Sequence, residues 1–108
     1  MEQRRHPRTP IDLKIEFACG NSVERSSGKA TDLSVGGMFV RTEAPAPFGA
    51  EVVLFVTFPG QRKELKLPAV VRWTRPTIGM GLQFGLLGAR ETHAIMGAKL
   101  AAKTNVSS

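Results

Sequence analysis

Between Leu65 and Trp73 every second residue is apolar: Leu65, Leu67, Ala69, Val71 and Trp73. A two-residue period puts all apolar side chains on one face of an extended strand, so such a segment has to find a partner that buries that face. The pattern recurs. Ile11, Leu13, Ile15 and Phe17 alternate with Asp12, Lys14 and Glu16. Val52, Leu54, Val56 and Phe58 alternate in the middle of the chain, and Ile78, Met80, Leu82 and Phe84 alternate with Gly79, Gly81 and Gln83. Two shorter strands are read at Gly28–Leu33 and Met38–Thr42, separated by the turn-forming Ser34–Gly37.

Turn residues punctuate these runs at Gly20-Asn21, Pro45 and Pro47, Pro59-Gly60-Gln61, and Arg75-Pro76-Thr77. The Pro59-Gly60-Gln61 reversal predicts antiparallel pairing of its flanking strands. Six strands left as an open sheet would expose two edges, so the expected architecture is a mainly all-β, six-stranded antiparallel barrel in which the strands follow one another as a meander. The tail, from Gly88 to about Lys103, is alanine-rich, with Ala89, His93, Met96 and Leu100 at helical spacing; it predicts one C-terminal helix with Ala89, Met96 and Leu100 as its buried stripe. At 108 residues the chain accommodates one domain, read as residues 11–104 preceded by a mobile arginine-rich arm, residues 1–10.

The longest apolar run, Val52–Phe58, is far short of the roughly 20 residues of a membrane-spanning helix, so no membrane insertion is expected. No secretory leader is legible, and the lone Cys19 excludes a disulfide framework; both suit a cytoplasmic setting. His6 and His93 are too few and too scattered for a metal site or a general base, and no nucleophile–base pair is visible. The expectation is a non-enzyme with no catalytic residues, no metal and no cofactor.

Fifteen basic residues against nine acidic give a net charge of +6, which calls for an anionic partner. Arg4, Arg5 and Arg8 fall within the first eight residues, and the rest of the chain keeps twelve basic residues against nine acidic, or +3. Arginine offers a planar fork of donors, a permanent charge and a flat face for stacking, which suits phosphate and guanine alike. Pro7 and Pro10 disfavour helix and keep the arm extended. A second cluster, Asp32-Leu33-Ser34-Val35-Gly36-Gly37, lies between two strands. Asp32 and Ser34 are two residues apart and point to one face, where a carboxylate accepts and a hydroxyl donates, while Gly36 and Gly37 allow positive φ and close approach. Each cluster by itself is better read structurally, as a solvated basic terminus and a self-satisfied turn.

Taken together, Arg-x-x-x-Arg at Arg4 to Arg8 and Asp-x-Ser-x-x-Gly at Asp32 to Gly37 resemble the two-part signature of the PilZ domain, and the strand ending VVRWTR, the GMGLQF strand and the final helix extend the resemblance over essentially the whole chain. The resemblance implies a barrel that binds the bacterial second messenger cyclic di-GMP. Arg4 and Arg8, with Arg5 as an auxiliary, would grip guanine and phosphate; Asp32, Ser34, Gly36 and Gly37 would line the surface under one guanine. Gln3 precedes the arm motif at the position thought in the family to influence whether one or two messenger molecules bind. Arg72 and Trp73 are secondary candidates, and the alternation of Trp73 with Val71 and Ala69 favours a place in the core. Binding would order the arm and pass the signal to an unidentified downstream protein. The alternatives are a degenerate PilZ-like interaction domain that binds no nucleotide, and a nucleic-acid-binding barrel. The chain has no tyrosine, and its phenylalanines do not cluster with basic residues as a stacking platform, which weighs against nucleic acid.

Overall fold

Six strands close on themselves in the computed structural model, which describes residues 8–106, with side chains through Ala102. They are β1 (Thr9–Cys19), β2 (Ser26–Leu33), β3 (Gly37–Arg41), β4 (Glu51–Val56), β5 (Leu65–Arg75) and β6 (Gly79–Phe84), followed by one helix, α1 (Ala89–Val106). All neighbours are antiparallel, and the order around the barrel is β1-β2-β3-β6-β5-β4. Barrel and C-terminal helix are as expected. The meander is not: β3 pairs with β6, and β4 returns to pair with β1. The Pro45–Pro47 segment lies in a connection long enough to carry the chain from β3 across to β4. The reversal around Pro59-Gly60 is also wider than a tight hairpin. A turn closed by Gln61 N donating to Phe58 O (2.9 Å), with Gly60 at φ 86°, sits inside an eight-residue connection between β4 and β5.

β1 begins at Thr9, so Thr9 and Pro10, counted with the arm on the sequence, belong to the barrel wall. The alternating residues form the interior. Phe17, Leu33, Met38, Val40, Leu54, Val56, Leu67, Val71 and Met80 are almost wholly removed from water, each burial contributing about 1.5–3 kcal/mol. The Thr9 hydroxyl is the exception. It is buried with no hydrogen-bond partner, and an unsatisfied buried hydroxyl costs about 1–3 kcal/mol. Thr9→Val, which keeps the branched shape and removes the hydroxyl, is therefore expected to leave stability unchanged or raise it by about 1 kcal/mol in urea unfolding; a loss above that size would mean the hydroxyl has a partner in solution.

α1 packs against β1, but through a different stripe from the one its large apolar residues suggest. Ala94, Ile95 and Ala98 are buried, whereas Met96 and Leu100 are 54% and 66% exposed, and Ala89 and His93 also face outward. Two alanines flanking one isoleucine let the helix approach the barrel closely, which bulkier side chains would prevent. No helix among the described residues is long and apolar enough to cross a membrane.

Candidate functional site

Three of the strand pairings contain an irregularity, and two of these set up one patch of the outer wall. On β5, Val71 pairs with Leu82 and Trp73 with Gly81, so Arg72 is an extra residue opposite a single step of β6. A bulge of this kind re-aims every side chain beyond it. Trp73 therefore leaves the interior face that its alternation with Val71 predicts and stands outside, 40% exposed. On β2, Ala30 pairs with Val40 and Asp32 with Phe39, so Thr31 is the extra residue and Asp32 is turned outward beside Phe39.

Because β6 lies between β3 and β5, Phe39, Gly81 and Trp73 form one row across three strands. The rings of Phe39 and Trp73 stack, with centroids 5.1 Å apart and planes inclined by 18°. Gly81 makes this possible, since a Cβ there would fall 2.1 Å from Trp73 Nε1. The Arg75 guanidinium lies 5.7 Å from the indole centroid, and Arg72 Nε donates to Gln83 Oε1.

Asp32 joins the row to the start of the chain. Its Oδ1 accepts from the backbone N–H of Phe39 (3.1 Å) and from Arg8 Nη1 (2.6 Å). Arg8 and Asp32 are each about one-third exposed, 33% and 29%, so the ion pair sits at the rim of the cleft. Among the described residues Arg8 uses only Nη1, which leaves most of its five N–H donors for a ligand. Arg8, Asp32, the Ser34–Gly37 turn, Phe39, Arg72, Trp73 and Arg75 line one open cleft of about 990 Å3, which extends along β6 to Leu86 and Leu87.

Ser34 does not share the outward face of Asp32. It is buried, and its hydroxyl accepts from the N–H groups of Gly36 and Gly37 (both 3.1 Å) and donates to Gly37 O (3.3 Å). That single proton is used inside the turn, so Ser34 shapes the cleft floor. Neither Gly36 nor Gly37 has positive φ. Gly37 is needed for proximity instead: a Cβ on it would fall 2.0 Å from Leu82 O, where β3 meets β6. Gly36 O accepts from Phe84 N (2.8 Å) and ties the turn to β6.

The structure thus brings together Arg8, Asp32, Ser34, Gly36, Gly37, Arg72 and Trp73; Gln3, Arg4 and Arg5 lie outside the described residues. Phe39, Gly81 and Arg75 are further cleft residues that the sequence reading missed. The Gly79-x-Gly81 spacing signals a close neighbour over β6, but the sequence does not show that the neighbour is an indole. Among the described residues no three His, Cys, Asp or Glu side chains gather as metal ligands.

The sequence profile of the PilZ domain matches residues 2–100. The chain belongs to the PilZ domain family. Solved PilZ structures share the fold. The PilZ domain of CeSA from a cellulose-synthesizing bacterium superposes with a TM-score of 0.71 at 21% identity, covering 90% of this chain and 98% of that one. The PilZ domain of Escherichia coli YcgR, solved with c-di-GMP, gives 0.78 at 15% identity over 97% and 95%. The inhibitor of motility MotI/DgrA from Bacillus subtilis gives 0.74 at 20% identity over 97% of this chain and 53% of its own. At these identities the likeness establishes the barrel and helix. No curated protein sequence matches the chain.

Proposed function

We propose that this PilZ domain is a non-catalytic receptor for cyclic di-GMP, with one guanine lying against the wall between Asp32 and the Phe39–Trp73 pair. Arg8 and the arm arginines Arg4 and Arg5 would grip guanine and phosphate. The observation that carries this reading is the 2.6 Å contact between Arg8 and Asp32, which joins the two halves of the signature at one cleft although they are 24 residues apart. A carboxylate, a cationic fork and a flat aromatic face answer the three chemical features of the ligand: hydrogen-bonding edge, phosphate and base. YcgR, whose PilZ domain has the same fold, was solved with c-di-GMP, which supports the same ligand class here.

Ligand held by residues of both the barrel and the arm would favour a closed arrangement of the arm, and the resulting change of surface would be read by a downstream protein. Calorimetric titration tests the reading. Saturable heat with cyclic di-GMP, none of comparable affinity with GTP or cyclic AMP, and recovery of unchanged dinucleotide afterwards are expected; equal affinity for GTP, or no heat with the dinucleotide, overturns it. Amide exchange before Thr9 should slow when the dinucleotide is added.

A further inference from the structure

We infer that a second cleft, between the β4–β5 connection and the first turns of α1, is a docking surface for an acidic segment of a partner protein. Arg62, Lys63, Arg90 and His93 surround a cleft of about 690 Å3, with Leu65 and Ala94 on its wall. Among the described residues no carboxylate lines it. The neighbouring acids are directed elsewhere: Glu64 Oε2 accepts from Arg25 Nη1 (3.0 Å), and the Glu91 carboxylate sits beside Gly88. Three other cations of the barrel are neutralised locally, Arg8 by Asp32 (2.6 Å), Arg25 by Glu16 (3.1 Å) as well as Glu64, and Lys29 by Asp12 (3.2 Å), whereas Lys14, Arg41, Lys66, Arg72 and Arg75 have no ion pair among the described residues and are spread over several faces. Among the described residues, Arg62, Lys63 and Arg90 have no such ion pair. Like charges gathered without a counter-charge raise the local potential and favour an external anion.

The kind of anion follows from the surroundings. All four basic side chains are exposed, so no buried polar group is present to orient a small ligand. Leu65 is half-buried and Ala94 buried, giving an apolar contact that a phosphate backbone or a lipid headgroup would leave unused. Carboxylates flanking an apolar side chain use both features, and complementary rim charges of this sort set association rate and specificity. The surface shares no residue with the cleft at Asp32, so the two can be occupied at once.

The test uses a fluorescein-labelled peptide of mixed glutamate, aspartate and leucine, titrated by anisotropy at low salt without nucleotide, so that it stands apart from the cyclic di-GMP reading. The triple variant Arg62→Glu, Lys63→Glu, Arg90→Glu is compared with Lys14→Glu, Lys29→Glu, Arg41→Glu, which makes the same change in net charge on a cleft that already contains Glu16 and Glu64. About a tenfold or greater loss in the first variant and less than about threefold in the second is expected, with Arg62→Gln, Lys63→Gln, Arg90→Gln in between. Equal losses in the two charge-reversed variants, no binding by the unaltered domain, or tighter binding of poly(U) or phosphatidylglycerol vesicles than of peptide would overturn the proposal. Circular dichroism confirms that each variant is folded.

Discussion

Gly37→Ala is expected to lower the unfolding free energy of the domain by about 3 kcal/mol or more, a large part of the roughly 5–15 kcal/mol a domain commonly has. The cause is local and backbone-made. The added methyl would meet Leu82 O at 2.0 Å, and a carbonyl held in a strand cannot rotate away as a flexible side chain can. β3 and β6 would have to separate at Gly37–Gln83, the last pair before the turn, and that pairing is one of the seams that close the barrel. Thermal unfolding should show a midpoint lower by roughly 10–20 °C. Gly97→Ala is the control. It lies inside α1 with nothing within 4 Å of the new methyl, so it should gain about 1 kcal/mol from helix propensity alone. If both substitutions behave alike, the close approach at Leu82 is not what Gly37 provides. The last glycine of the Asp-x-Ser-x-x-Gly motif would then owe its place to some other constraint.

The second large effect concerns the ligand. Arg8→Ala should weaken cyclic di-GMP binding by about 10- to 100-fold, the 1–3 kcal/mol of one lost bidentate arginine contact. Its effect on stability should stay within about 1 kcal/mol, because the Arg8–Asp32 pair is one-third exposed and screened. Arg8→Lys separates charge from geometry: it restores the cation without the planar fork, so most of the loss should persist. Calorimetry of the three proteins, with folding checked by circular dichroism, measures both quantities. Undiminished affinity in Arg8→Ala would remove Arg8 from the binding site, and undiminished affinity in Arg4→Ala as well would remove the arm.

What could be read from the sequence depended on whether a residue obeyed its local period. Ile15, Phe17, Leu54, Val56, Leu67 and Val71 sit inside the barrel because an unbroken alternation decides their side, and the strands were legible for that reason. Trp73 was misplaced because one additional residue, Arg72, shifts the phase of β5, and a bulge leaves no mark in composition. α1 was misread for a different reason: hydropathy gives weight to Met96 and Leu100, whereas the surface that packs is mostly alanine. At the Ser34–Gly37 turn both readings of the residues were open, and the hydrogen bonds assign Ser34 to the turn itself. Strand order needed the structure as well, since nothing in the spacing of Pro45 and Pro47 says which edge the chain crosses to.

The displacement of the indole to the outer wall has a practical consequence. Trp73 is the only tryptophan and the chain contains no tyrosine, so nearly all ultraviolet-excited emission of the protein comes from this one ring. A purine settling against it would quench or shift that emission directly. If the proposed site is the binding site, occupancy would then be readable from intrinsic fluorescence, with no dye to attach.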